Sequence, residues 1–374
     1  MPHDVALLGT FDTKSAELDA LSRYLLAQGL RIFPVDLSLQ SQTRVFSGEE
    51  KLLRMAAVSE AAARSMQGRP ISAVVALGGG TGSEISLEAM RDLPVSLPKF
   101  LITTLPFDPR HALAANGTVL IPTLCDLQGM NMALRETFAR AAAMVGACVN
   151  HPTSEPTSDD LAIGLSLLGV TQKACDEILP RLAAQGLEAM AFHANGFGGA
   201  ALSRFAKEGR LSGMIDLTVN EIVRMHVKGA HVKMPERFTC AAHLPRLVMP
   251  GAINFYDGGP VDTIPEAVLK RPHYRHSSYF THIKLTPEEL EIATNALADD
   301  LNKSRAPCDV IIPMGGFSSE DRKGGAIEDE ALRALVADIL RQRAQRYTVT
   351  MIPTHIGDAE TAETAVSTLL RHLP

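Results

Sequence analysis

The sequence predicts an α/β protein in two domains, each a mostly parallel sheet with helices on both faces. Three observations carry that prediction. Short runs of small and β-branched apolar residues alternate with amphipathic helical stretches along almost the whole chain, the pattern of βα units feeding a parallel sheet. The pattern breaks at His151-Pro-Thr-Ser-Glu-Pro-Thr-Ser-Asp-Asp160, a polar stretch without periodicity, and restarts beyond it. Several apolar runs end in loops rich in Gly, Thr, Asp and His, where such folds place their ligand sites. The domain limits follow as 1–155 and 156–374, each domain Rossmann-like.

The first strand, Val5–Gly9, ends in Gly9-Thr-Phe-Asp-Thr-Lys14. It leads into a helix from Ser15 to about Gln28, with Asp12 or Thr13 as cap and Gly29 as terminator. A strand over Leu30–Val35 ends at Asp36, where dinucleotide folds keep an acid for ribose hydroxyls, though the accompanying glycine fingerprint is missing. A helix over Glu49–Met66 precedes the central strand, which ends at Leu77. Strands at Lys99–Thr103 and Thr118–Ile121 follow, then a helix from about Gln128 to Val149, striped by Met130, Leu134, Phe138 and Ala141. The second half reads as strands at Ala162–Leu167, Ala189–Phe192, Gly213–Ile215, Cys308–Pro313 and Tyr347–Ile352, with helices between. Among those helices are Pro287–Asn302, capped by Thr286, and Ile327–Arg343. Gly229–Phe280 reads as loop-rich.

Composition narrows the function classes. Of 374 residues 46% are hydrophobic and 21% charged, the balance of a soluble globular chain. A net charge of −6 excludes a general basic field for nucleic acid or acidic membrane. No apolar run approaches the ~20 residues of a membrane span, and Met-Pro-His-Asp-Val lacks the basic and apolar regions of a signal peptide. The five cysteines are scattered, odd in number and free of Cys-x-x-Cys, so a reducing cytoplasm is expected.

The chain is organised around Ser72-Ala-Val-Val-Ala-Leu-Gly-Gly-Gly-Thr-Gly-Ser-Glu-Ile-Ser86. A strand, then Gly78, Gly79, Gly80, Thr81 and Gly82, then a helix: this geometry exposes backbone N–H groups at a helix N-terminus and attracts an anion, most often phosphate. The alternative is a tight turn without a ligand. Neither Gly-x-Gly-x-x-Gly nor the P-loop spacing is present, so the loop alone names no ligand. Thr10, Asp12, Thr13 and Lys14 form a second candidate anion loop, with plain capping as its alternative. Thr103 and Thr104 end a neighbouring strand.

In the second half, His193-Ala-Asn195-Gly-Phe-Gly-Gly199 is the most loaded loop. Gly196, Gly198 and Gly199 would let a ligand approach, and His193 would serve as acid, base or donor. Asp216, Thr218 and Glu221 form a further strand-end group, for which a capping box from Thr218 to Glu221 is the structural alternative. His355 stands after the last strand, beside Asp358 as a helix cap. The histidines His231, His243, His273, His276 and His282 are numerous, but none of the tight ligand spacings is present and no metal site is assigned. The default site for two such domains is the cleft between them.

Taken together, these strand-end segments resemble the Tm-one-like ATP-binding family. Its plant members fuse the region to a TIM-barrel domain and inhibit tobamovirus RNA replication. The matching segments are Gly9-Thr-Phe-Asp-Thr-Lys14, Leu77-Gly-Gly-Gly-Thr-Gly82, Phe192-His-Ala-Asn-Gly-Phe-Gly-Gly199, Ile215-Asp-Leu-Thr218 with Glu221, Asn254-Phe255 and Pro353-Thr-His-Ile-Gly-Asp358. The resemblance implies two Rossmann-like subdomains, binding of ATP or another nucleotide (which brings Mg²⁺ into consideration), and a homodimer. It implies no established reaction. Three segments depart from the family pattern, Ala201-Leu202-Ser203, Leu105-Pro-Phe-Asp-Pro109 and Gly316-Phe-Ser318. The first two touch ligand loops, so a different ligand is expected for this member.

Four readings follow. The first is a nucleotide- or phosphometabolite-binding protein. The second is an enzyme on a small carboxylate or acyl compound with His193 or His355 as acid–base group, the plant fusion suggesting a TIM-barrel partner protein by analogy. The third, a metal-dependent alcohol dehydrogenase-like protein, needs an all-helical second domain and conflicts with the βα pattern after residue 160. The fourth is a regulatory or scaffold protein without turnover.

Overall fold

The structure is a computed structural model that describes residues 4–40, 45–113, 116–151, 161–229, 234 and 236–373, with only the backbone at 110 and 111. The chain forms two compact units, 1–155 and 156–374. Most of the linker segment read from the sequence, and His231, lie outside the described residues.

The first unit runs β1 Asp4–Gly9, α1 Ser15–Ala27, β2 Arg31–Asp36, α2 Gly48–Met66, β3 Ile71–Gly78, α3 Gly80–Met90, β4 Lys99–Thr103, α4 Arg110–Leu113, β5 Val119–Pro122 and α5 Met132–Asn150. Its five strands are all parallel, in the order β2-β1-β3-β4-β5. The period-two alternation of a buried strand divides the apolar residues between two cores. Val5, Leu7, Val75 and Leu77 pack with α1 and α5 on one face, and Ala6, Leu8, Val74 and Ala76 with α2 and α3 on the other. Both faces of β1 and β3 are therefore covered, which is why these strands read as unbroken apolar runs.

Two expectations for this unit need correction. The α1 cap is Lys14, without a side-chain capping bond, and neither Asp12 nor Thr13 caps it; Thr13 Oγ1 donates instead to Thr10. The long helix starts at Met132 rather than near Gln128. Gly129 turns the chain at φ +72° and the Asn131 side chain caps the helix by accepting from Leu134 N–H at 3.0 Å. The preceding loop is tied to α1, since Lys14 Nζ donates to the Leu127 carbonyl and Glu17 Oε1 accepts from Gly129 N–H at 2.6 Å.

The second unit runs β6 Ala162–Leu167, α6 Gln172–Ala183, β7 Ala189–His193, α7 Phe197–Lys207, β8 Leu211–Thr218, α8 Asn220–His226, β9 Arg246–Gly251, β10 Phe255–Asp257, α9 Glu266–Leu269, β11 His273–Arg275, β12 Thr281–Lys284, α10 Pro287–Leu301, β13 Cys308–Pro313, α11 Glu330–Arg343, β14 Thr348–Ile352 and α12 Ala359–Leu370. Six parallel strands stand in the order β14-β13-β9-β8-β6-β7. The loop-rich segment expected over Gly229–Phe280 contains β9, a central strand, and also β10 and β11, which flank β12 in a three-stranded antiparallel sheet, β10-β12-β11. Pro250 within β9 and the shortness of β10 and β11 hid them from pattern reading. Thr286 does cap α10, in a reciprocal bond pair with Glu289.

A buried ion network holds the middle of this sheet. Asp216 on β8 accepts from Arg237 Nη2 at 2.6 Å and from Arg246 Nε at 2.7 Å, while Arg237 Nε reaches Glu221 at 2.6 Å. Asp216, Glu221 and Arg237 have no exposure and Arg246 has 2%. Two carboxylates and two guanidiniums balance. Burial pushes the Asp216 carboxyl up, but Arg237 and Arg246 outweigh it and hold the group below its ordinary value. Its stabilising contribution is therefore present above the ordinary carboxylate range and lost as pH falls through the lowered value.

Removing one member leaves buried charge uncompensated. Arg237→Ala is expected to destabilise the second unit by about 3–5 kcal/mol, read from the denaturant midpoint. Arg64→Ala, which breaks the exposed pair with Glu60, should leave the midpoint unchanged.

Candidate functional site

Strand-end loops carry the residues singled out from the sequence, and each unit uses its glycines differently. In the first unit β3 ends at Gly78, Gly79 is the N-cap without a side-chain bond, and α3 begins at Gly80. Gly78 is required by the fold, because a Cβ there would lie 2.6 Å from the Gly82 carbonyl carbon and the Ser83 nitrogen. The other three are not. A Cβ would first meet Thr104 Oγ1 at 4.0 Å from position 79, Pro106 Cγ at 3.4 Å from 80, and the Leu77 carbonyl at 3.8 Å from 82. None of the three has positive φ. Glycine in a helix costs roughly 1 kcal/mol against alanine, so Gly80 and Gly82 weaken α3 without serving its packing.

These glycines and Thr81 line a pocket of about 470 Å³ together with Thr10, Asp12, Thr13, Lys14 and Lys51. The first N–H groups of α3 have no intrahelical acceptors, and no acidic side chain occupies that first turn. The loop after β1 is braced from β2: Asp36 accepts from Phe11 N–H at 3.3 Å and Ser38 N–H at 2.9 Å, and Ser38 Oγ accepts from Asp12 N–H at 3.0 Å. Asp36 thus shapes the wall through the backbone, a use its sequence position did not disclose. Thr103 is buried and paired with Ser83 Oγ at 2.7 Å, behind the loop, whereas Thr104 stands beside Gly79. Leu105 follows in the left-handed region at φ +51°, a strained conformation for a branched side chain. Sequence reasoning passed over Lys51, since a lysine on the polar face of α2 reads the same whether solvated or facing a pocket.

In the second unit the glycines serve packing. A Cβ on Gly198 would come 2.2 Å from the His193 carbonyl oxygen, and one on Gly199 would strike the Glu221 carboxylate at 2.2 Å. Gly196 adopts φ +94° and donates its N–H to Glu221 Oε1 at 2.7 Å. The capping box is overturned: Thr218 ends β8, Val219 is the N-cap of α8, and Thr218 Oγ1 pairs with Thr171 Oγ1 at 2.8 Å. Thr218 and Glu221 have no exposure. Asn195 Oδ1 accepts from Phe197 and Gly198 N–H at 3.1 and 3.4 Å, at the start of α7. His193 stays exposed at the end of β7. Partial desolvation, then the Arg224 charge, push its imidazole below the ordinary value, against Glu221.

His355 is placed otherwise. It is 8% exposed. Its Nδ1 accepts from Gly357 N–H at 3.0 Å, so the proton sits on Nε2, which donates to the Ser318 carbonyl at 2.8 Å. Burial pushes the group below its ordinary value; the Ser318 carbonyl opposes this and Arg322 adds to it. Both nitrogens bind backbone, and the ring braces the loop after β13 against the loop after β14.

The family model described as the uncharacterised protein family UPF0261, N-terminal domain, matches residues 49–154, and that of the UPF0261 C-terminal domain matches 160–373. A UPF0261 protein of Rhizobium meliloti is 32% identical over 97% of both chains. The tomato (Solanum lycopersicum) ToMV resistance protein Tm-1 is 27% identical over 81% of this chain, which corresponds to 42% of the tomato protein. Among solved structures, Acinetobacter baumannii MurG aligns over 100% of this chain and 96% of its own with 11% identity and a TM-score of 0.22, a likeness too low to carry an argument. No helix among the described residues is long and apolar enough to cross a membrane.

A histidine whose folded-state value is lowered binds its proton more readily when unfolded. Stability then falls as pH drops below the ordinary value of about 6.5. His355→Gln is expected to reduce the loss of denaturant midpoint between pH 7.5 and pH 5.5 relative to the parent. An identical pH dependence in both proteins would contradict this assignment.

Proposed function

The chain belongs to the UPF0261 family, and on that premise we propose that its first unit binds a phosphate-bearing small molecule in the pocket at the start of α3. A nucleotide such as ATP is the first ligand to consider. One observation carries the reading: Gly79, Gly80 and Gly82 face the pocket although neither φ nor internal packing calls for glycine at any of them. Bare backbone at a helix N-terminus is what an anion needs for close approach. Lys51 and Lys14 on the same wall supply positive charge, although Lys14 also holds the Leu127 carbonyl. Asp12 would hold an accompanying Mg²⁺.

Gly79→Asp tests this with two readouts of opposite sign. An N-cap aspartate favours the helix by a few tenths of a kcal/mol, so the ligand-free protein should melt at the same temperature or slightly higher. The same carboxylate repels phosphate, and calorimetric affinity for the nucleotide should fall at least tenfold, about 1.4 kcal/mol. Affinity equal to the parent in both Gly79→Asp and Lys51→Ala would defeat the proposal.

A second reading rests on His193, exposed at a strand end with its imidazole pushed below the ordinary value by partial desolvation and Arg224, as a general base on a small carboxylate or acyl compound. A turnover assay on such compounds should show His193→Ala losing rate by about 10²-fold or more with substrate binding retained. Undiminished turnover would remove His193 from the chemistry.

A further inference from the structure

We propose that His276, His282 and Glu320 in the second unit form a binding site for a divalent transition-metal ion of the zinc class. This is independent of the phosphate pocket. The site begins in the β11–β12 hairpin, where Tyr274 pairs with His282 and Arg275 with Thr281. Side chains alternate along a strand, so positions 274, 276 and 282 share one face, with 276 and 282 diagonal neighbours. The His276 and His282 rings stack at 4.7 Å and 21°, and Phe255 of β10 stacks on His282 at 4.2 Å and 24°. His282 is thus held between two rings, which fixes its orientation. The third ligand arrives from the loop after β13. Ser319 N–H donates to the Val170 carbonyl at 2.8 Å, tying that loop to the one after β6 and setting Glu320 beside the hairpin.

The geometry suits an ion. Glu320 oxygens lie 2.9 and 3.0 Å from His282 Nδ1 and 3.5 Å from His276 Nδ1. One ligand atom from each of the three side chains falls within 4.8 Å of the others. A tetrahedral ion with bonds of 2.0–2.1 Å spaces its ligand atoms by about 3.3 Å, so the cluster needs only small adjustments to close. Charge points the same way. The Glu320 side chain is 5% exposed, and among the described residues its ion pairs are to these two imidazoles. A buried carboxylate is costly unless it is paired and hydrogen-bonded, and a bound divalent ion would pair it.

Two imidazoles and one carboxylate are donors for zinc, cobalt, nickel or ferrous iron rather than for magnesium or calcium. Three protein ligands leave a fourth position. His276, 39% exposed at its side chain, stands on the solvent side, so that position is open to water or to an oxygen of a small anion.

The test uses the full chain stripped with a chelator and then titrated with Zn²⁺ by calorimetry and with Co²⁺ by visible absorption. We expect one equivalent of Zn²⁺ and a Co²⁺ ligand-field band of a low-coordinate site. His282→Ala and Glu320→Gln should weaken this binding by more than about 100-fold, beyond the loss typical of an outer-shell partner. His276→Ala, at an exposed side chain, preserves the fold and should lose at least tenfold in affinity. His273→Ala, whose Nδ1 is engaged with the Arg271 carbonyl at 2.9 Å, should bind like the parent. Absence of a saturable equivalent in the parent would overturn the proposal. So would equal binding in His276→Ala and Glu320→Gln.

Discussion

The buried balance of Asp216, Glu221, Arg237 and Arg246 is the constraint on which the second unit depends. Each charge is out of water, so each must find its partner in the same place every time. Through Asp216 the network fixes β8, through Arg246 it fixes β9, and through Glu221 it reaches the N–H of Gly196 and sets the loop after β7. Gly199 has no side chain because the Glu221 carboxylate occupies the space. The loop that follows His193 is thus held by ion pairs on neighbouring elements.

The two glycine-rich loops look alike as sequence and answer to different physics. Around Gly196, Gly198 and Gly199 the fold itself leaves no room for a Cβ or demands positive φ. Around Gly79, Gly80 and Gly82 it does neither, and these residues border a pocket. Spacing alone cannot separate the cases, because in both a strand ends, glycines follow and a helix begins. The distinction lies in what occupies the space beside each Cα: the Glu221 carboxylate, 22 positions later in the chain, at Gly199, the His193 backbone at Gly198, and no close neighbour at Gly79, Gly80 or Gly82.

Much of the architecture was legible. β4, β6 and β13 match their sequence ranges residue for residue, since a strand buried on both faces is predominantly apolar along its length. Thr286 and Pro287 marked the start of α10 because capping chemistry is local. Elements whose signal is not local were missed. β9 contains Pro250 and begins at an arginine that is buried against Asp216 and the Phe238 carbonyl. The helix expected from Gln128 begins at Met132 because Asn131, not an earlier residue, captures its free N–H groups. At the sites, Lys51, Glu320 and the pairing of His276 with His282 were invisible: the three metal-ligand candidates are spread over 45 positions and share no helical or short-turn spacing.

The sequence by itself determined that this is an α/β chain with parallel sheets, helices on both faces and a bare glycine turn after its central strand. Hydrophobic periodicity and backbone stereochemistry are properties of neighbours in the chain. Only the tertiary structure decided which glycines are free of internal duty, which histidine is locked between backbone groups, and which carboxylate lies buried against two imidazoles. Those outcomes rest on excluded volume and desolvation. Both depend on residues that are distant in sequence and adjacent only once the sheet has brought its strand ends together.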